Sequence, residues 1–159
     1  MSAQPTPGFG SSRRQAARMA AVQAIYQWQE GEHAPGEIID QFLKVRIGEQ
    51  GEGGMRRDAD RPLFKNVVEG AVAHKEELQQ TLTGALAEDW TWERVDRLVR
   101  AILLAGAYEL IHRKDVPPRV AINEYVEIAH AFYDQGEQNF VNSVLDRVAR
   151  QSRSPELAR

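Results

Sequence analysis

Two Glu-x-x-His pairs, Glu109 with His112 and Glu127 with His130, have the residue types and the i, i+3 helical spacing that let a carboxylate and an imidazole grip one metal ion. A di-iron four-helix bundle uses two such pairs and adds a glutamate from each of two further helices, all aimed into the core. Those additional glutamates are missing from suitable positions. Glu69 lies between the inward positions Val68 and Ala71 without sharing their stripe, and Glu30 sits at a helix end beside Gly31. The short connector from Lys114 to Pro118 also places Glu109 nearer the turn than Glu127, so the two pairs would be offset along antiparallel helices. A di-iron enzyme is therefore the alternative reading, and solvated helix-end histidines are the ordinary one. No Gly-rich phosphate loop, Gly-x-Ser-x-Gly elbow or His-Glu-x-x-His motif occurs. With zero cysteines, thiolate zinc sites, iron-sulfur clusters, disulfides and cysteine nucleophiles are excluded together. The residues point to a binding protein without a cofactor, metal or catalytic set.

Arginine carries the second kind of chemistry. No acidic residue precedes Glu30, whereas Arg13, Arg14 and Arg18 fall within that stretch, so the N-terminal segment is a cationic patch. The chain as a whole has a formal net charge of −3, so a basic binding site must be local. Arginine outnumbers lysine by 16 to 4, and a guanidinium can fork onto phosphate or stack on a base as an ammonium cannot. Arg14 and Arg18 are four residues apart, which puts them on one helix face. Cations at a helix N-terminus oppose the macrodipole, so helix stability does not account for them. A second basic group, Arg147, Arg150, Arg153 and Arg159, reads as a solvated tail.

Residues 1–10, with Pro5, Pro7, Gly8 and Gly10, read as a mobile arm. Ser11 and Ser12 offer an N-cap to a helix from Arg13 to Gly31 with Ala17, Ala21, Ala24, Ile25 and Trp28 on one apolar face. A second helix starts near Pro35 and ends before Gly48, and Gly48 to Asp60 reads as a flexible loop. Asp60 and Pro62 start a third, whose period runs from Leu63 to Leu82 with Gly84 as its interruption or end. The most apolar helix spans about Trp92 to Arg113, opened by Thr91 and Glu93 and central in the packing. Pro117 and Pro118 stop it and start another with Val120, Ile122, Val126, Ala129 and Phe132 inward. Gly136 separates that helix from the last, marked by Phe140, Val141, Val144, Leu145 and Val148. No alternating run appears, so the fold is expected to be all-α with about six to seven helices.

The 159 residues fit one domain, 42% hydrophobic content supplies a core, and 27% charge keeps the surface wet. The longest nearly uncharged apolar run, Ala101 to Tyr108, is far shorter than the roughly 20 residues that cross a bilayer. The N-terminus has no apolar signal core. A cytoplasmic protein with no membrane partner is expected.

Two stretches resemble a known family. Arg13-Arg14-Gln15-Ala16-Ala17-Arg18 followed by Ala21-Val22-Gln23-Ala24-Ile25-Tyr26-Gln27-Trp28 resembles the opening helix of the bacterial transcription antitermination factors of the NusB family. Ala107-Tyr108-Glu109-Leu110, Asp115-Val116-Pro117, Val120-Ala121-Ile122-Asn123-Glu124, Phe140-Val141-Asn142 and Val144-Leu145-Asp146 are similar to its C-terminal half, in order. The resemblance implies two small helical subdomains within residues 11–152, an N-terminal half of about 11–86 and a C-terminal half of about 87–152, followed by a flexible tail at 153–159. It also implies a partner, NusE (ribosomal protein S10), with which such a protein binds the boxA element of nascent ribosomal RNA and joins the elongating RNA polymerase. Arg13, Arg14 and Arg18 match the family's RNA-binding motif, Phe140 an aromatic at its RNA surface, and Tyr26 a position that touches NusE. Gln138 and Asn139, just before Phe140, are implied edge contacts. The chain departs from the family where Gln135-Gly136-Glu137-Gln138 replaces an acidic Asp-Ser pair, where Ser143 replaces a glycine, and where Gln15 and Ala16 stand in place of further arginines. A NusB-like domain also opens a ribosomal RNA cytosine methyltransferase, but this chain ends where that catalytic domain would begin, so a free-standing factor is expected.

Overall fold

The computed structural model describes residues 12–47 and 58–157, and among them there are seven α-helices and no strand. They are α1 (Arg13–Trp28), α2 (Pro35–Gln41), α3 (Arg61–Ala73), α4 (Lys75–Ala85), α5 (Arg97–His112), α6 (Pro118–Phe132) and α7 (Glu137–Leu157). A π-type turn, Phe42–Arg46, continues α2, and a 3-10 turn, Trp92–Arg94, precedes α5. The expected arm at 1–10 and most of the expected loop, residues 48–57, lie outside the described residues.

Start signals sit where the residue types place them. The Ser12 hydroxyl accepts from the Gln15 N–H at 3.0 Å, and the Asp60 carboxylate accepts from the Leu63 N–H at 3.0 Å. The central helix begins later than its sequence suggests, because Asp96 caps it by accepting from the N–H groups of Leu98 and Val99. Val95 and Asp96 interrupt the expected continuous span from Trp92. The segment from Leu63 to Leu82 is two helices, because the chain bends at His74, where φ is −106° and ψ is 18°. Leu78 and Leu82 remain buried after the bend, so a shared apolar period disguises the break. At Gly136 φ is +98°, a conformation that only glycine adopts without strain, and this turns the chain from α6 into α7.

The buried residues form one contiguous core with α5 at its centre, packed by α1, α3, α4, α6 and α7. The first helix is buried on nearly every side rather than on one face, since every residue from Ala16 to Ile25 is buried. Its five alanines in that stretch let α3 and α5 approach closely, and the polar residues among them then need internal partners. Arg153, expected in a solvated tail, is also buried, and its guanidinium donates to the Lys114 carbonyl at 3.3 Å. No helix among the described residues is long and apolar enough to cross a membrane.

Candidate nucleic-acid interface

The N-terminal end of α1 exposes Arg13 and Arg14. Arg13 is anchored rather than free: its Nε donates to the Asp58 carbonyl at 2.7 Å, and its own carbonyl accepts from the Asp60 N–H at 3.1 Å. Arg14 borders an open cleft that also meets Asn66, Tyr108, His112, Arg113 and Asp115. Arg113 donates to Asn66 Oδ1 and to Asp115 Oδ2, both at 3.1 Å, and the Tyr108 hydroxyl donates to the same Asn66 oxygen at 3.1 Å. The hydrogen bond to Asp115 holds the Arg113 guanidinium above its ordinary pKa, and in return holds the Asp115 carboxyl below the usual carboxylate range. The cleft therefore presents an exposed Arg14 beside an anchored Arg113 in a polar setting suited to an anionic backbone.

Arg18 does not join them. It is 2% exposed, its Nε and Nη2 donate to the two carboxylate oxygens of Glu109 at 2.8 and 3.0 Å, and its Nη1 donates to Glu124 at 3.0 Å. The buried Tyr125 hydroxyl donates to Glu109 as well. Burial alone would lower the pKa of the Arg18 guanidinium, but the paired Glu109 carboxylate outweighs it and leaves the group above its ordinary value. Burial raises the Tyr125 hydroxyl well above the phenol range, and the Glu109 charge adds to the effect. The expected arginine track of Arg14 with Arg18 is thus corrected, because the four-residue spacing aligned them while neighbouring helices covered only the second.

At the other end of α5, Phe140 is half-buried and packs on Trp90, with ring centroids 5.3 Å apart and planes tilted by 50°. The Arg94 guanidinium lies 4.9 Å from the Trp90 ring centroid, which combines two aromatic surfaces with a cation. These residues line a shallow cleft with Asp96, Val99 and Glu137. Asn139 is exposed, and Gln138 is half-buried with its side-chain oxygen buried and without a hydrogen-bond partner. Tyr26 is half-buried near the same end. There the Tyr133 hydroxyl donates to Asp96, and burial together with that bond raises its pKa.

The sequence-predicted residues accordingly fall into two groups. Val99 borders the aromatic cleft and His112 the arginine cleft, so at 1.5 Å per residue the two lie about 20 Å apart along α5. The alternative metal enzyme has no counterpart in this arrangement. Glu109 is committed to Arg18, His112 stacks on His74, and Glu127 and His130 are exposed on α6, so the four side chains do not converge.

Residues 15–150 match the model of the NusB family. A transcription antitermination protein NusB from Rhodopseudomonas palustris (strain HaA2) is 44% identical over 149 residues, covering 94% of this chain and 88% of that protein. The chain belongs to the NusB family. A second NusB transcription antitermination protein, from Rhizobium rhizogenes (strain K84 / ATCC BAA-868), is 44% identical over 147 residues and covers 92% of each chain. Among solved structures, T. maritima NusB superposes with a TM-score of 0.75 at 22% identity over 94% of this chain and 99% of that one. A structure of antitermination factors NusB and NusE in complex with dsRNA gives a TM-score of 0.73 at 24% identity, over 87% of this chain and 97% of that one.

In this NusB-family chain Trp90, Arg94 and Arg113 also line the two clefts, although they stand outside the motifs that the sequence offers. A large aromatic in a polar connector beside Glu88 and Asp89 is a signal for Trp90, which is 36% exposed. Arg113 follows the last turn of α5, and no spacing rule links it to Arg14 before the packing of α1 against α5 is known.

Proposed function

We propose that this protein acts in transcription antitermination by binding the boxA element of nascent ribosomal RNA together with NusE, and that the complex joins the elongating RNA polymerase. The observation that carries the RNA part is the pairing of a cleft lined by the Arg14 and Arg113 guanidinium groups with an aromatic-cation cleft at Phe140, Trp90 and Arg94. Guanidinium groups hold a phosphate backbone and exposed rings stack on bases, the two contact types that single-stranded RNA takes. Because about 20 Å of α5 separates them, an extended strand suits both ends better than a compact helix would. Arg13, Gln138 and Asn139 join the proposed RNA contacts, Arg18 supports them from the interior, and Tyr26 faces NusE.

Of the three arginines in the first turns of α1 only Arg13 and Arg14 reach the surface, and the chain carries a net charge of −3, so RNA binding by this protein alone is weak, and NusE adds contacts to a composite surface. The membership in a family of transcription antitermination proteins supports this reading. A gel-shift titration of boxA-containing and scrambled RNA, with and without NusE, tests it. Tighter binding of boxA on adding NusE is the expected result. Equal affinity with and without NusE would remove the composite site, and equal affinity for both RNAs would remove boxA recognition.

A further inference from the structure

The bend between α3 and α4 brings three metal-ligating side chains together at the edge of the arginine cleft, which His112 also lines. His74 stands at the bend, Glu77 in the first turn of α4, and His112 in the last turn of α5. His112 Nε2 lies 3.0 Å from Glu77 Oε1, His74 Nδ1 lies 3.5 Å from Glu77 Oε2, and one ligand atom from each residue falls within 4.8 Å of the others. We propose that His74, Glu77 and His112 form a binding site for a divalent transition cation of the zinc type.

The donor set favours such an ion. Two imidazoles and one carboxylate suit zinc, nickel or copper, whereas magnesium and calcium prefer oxygen donors throughout. Bonds of about 2.0–2.2 Å from zinc to nitrogen and oxygen put neighbouring tetrahedral ligand atoms roughly 3.3–3.6 Å apart, close to the spacings found here. A third edge of the site needs movement. The His74 and His112 rings stack 4.0 Å apart with planes 22° from parallel, so their nitrogen lone pairs lie in two nearly parallel planes. One ring must turn out of the stack to point at a common ion. The side chains of His74, Glu77 and His112 are 41%, 50% and 28% exposed, which leaves room for that rotation. Tyr108 stacks beneath both rings, at 6.3 Å from His74 and 5.5 Å from His112, and restricts the remaining freedom. The fourth position of the ion faces solvent, and its three protein ligands tie the start of α4 to the end of α5.

The test uses tag-free, chelator-stripped full-length protein titrated with zinc chloride by calorimetry, with magnesium chloride as the control. One equivalent of zinc should bind, magnesium should not, and His74→Ala, Glu77→Gln and His112→Ala should each weaken zinc by at least about 10-fold. The double variant His33→Ala with His130→Ala should bind as the parent does, since those two histidines lie elsewhere on the surface. Circular dichroism confirms that each variant is folded, and Glu77→Gln, at an exposed position, tests the site even if a histidine variant is not. Zinc should also shift the imidazole proton resonances of His74 and His112 and leave those of His33 and His130 in place. No binding to the parent, binding undiminished by Glu77→Gln and His112→Ala together, or resonance shifts confined to His33 and His130 would each overturn the site.

Discussion

The guanidinium of Arg18 and the carboxylate of Glu109 meet through two parallel hydrogen bonds at 2.8 and 3.0 Å in the protein interior, 91 residues apart in sequence. Glu124 and Tyr125 complete the network, so one arginine on α1 ties that helix to α5 and α6. This is why the first turns of α1 are held in position while Arg13 and Arg14 remain at the surface. Removing one member leaves the other charge buried without compensation, which costs about 3–5 kcal/mol. Arg18→Ala should show that loss in urea denaturation. Arg18→Met combined with Glu109→Met should cost less than the two single changes added together, with a coupling of about 0.5–3 kcal/mol. A loss below about 1 kcal/mol for Arg18→Ala would mean that the pair is not formed as described.

Gly70 on α3 allows Tyr108 to cross it. A Cβ at residue 70 would lie 2.1 Å from Tyr108 Cε1 and 2.2 Å from its Cζ, both ring atoms of a side chain that is only 7% exposed. Gly70→Ala should therefore destabilise the protein by about 1–3 kcal/mol, despite the better helix propensity of alanine. Thermal unfolding measures it, and a stabilised variant would show that the α3 to α5 packing is loose.

The arginines of the first helix should separate by location. Arg13→Ala with Arg14→Ala should weaken boxA and scrambled RNA alike and make the salt slope shallower by roughly 0.7 for each phosphate of a single strand that is no longer neutralised. Arg18→Met should leave that slope unchanged in the folded fraction, because its charge is spent on Glu109 and Glu124. Filter binding at several salt concentrations reads both. A slope that changes with Arg18→Met and not with the exposed pair would reverse the assignment.

Apolar periodicity made most helices legible, because core packing and helical spacing coincide in Leu63 to Leu82 and in Val141 to Val148. The same periodicity hid the bend at His74, since the stripe passes through it unbroken to Leu78 and Leu82. Arg14 and Arg18 show the limit at the site. Spacing puts them on one face, but only the packing of α5 and α6 decides that Glu109 and Glu124 enclose the second. Glu109 and His112 show it again. Their i, i+3 spacing is real, yet Glu109 faces the interior toward Arg18 whereas His112 turns toward His74 and Glu77. Phe140 fits both a core stripe and a surface role in sequence, and its half-buried ring against Trp90 serves partly as each.

That dual position of Phe140 makes a discriminating experiment possible. Phe140 is charge-free, so Phe140→Ala should leave the salt slope of RNA binding almost unchanged. If one base stacks on the ring, affinity should fall by about 1–3 kcal/mol, and Trp90→Ala should produce a loss of the same kind because the two rings form one surface. Packing predicts something else. A fully buried phenylalanine truncated to alanine costs about 3–5 kcal/mol of stability, and a half-buried one should cost clearly less. Thermal unfolding and RNA titration of the same preparations therefore separate the two roles. A Phe140→Ala protein with a large loss of stability whose folded fraction binds RNA normally would make the ring a core residue and leave the arginine cleft as the RNA-binding surface. A variant of nearly full stability whose affinity falls by the same factor at every salt concentration would establish Phe140 as a stacking platform.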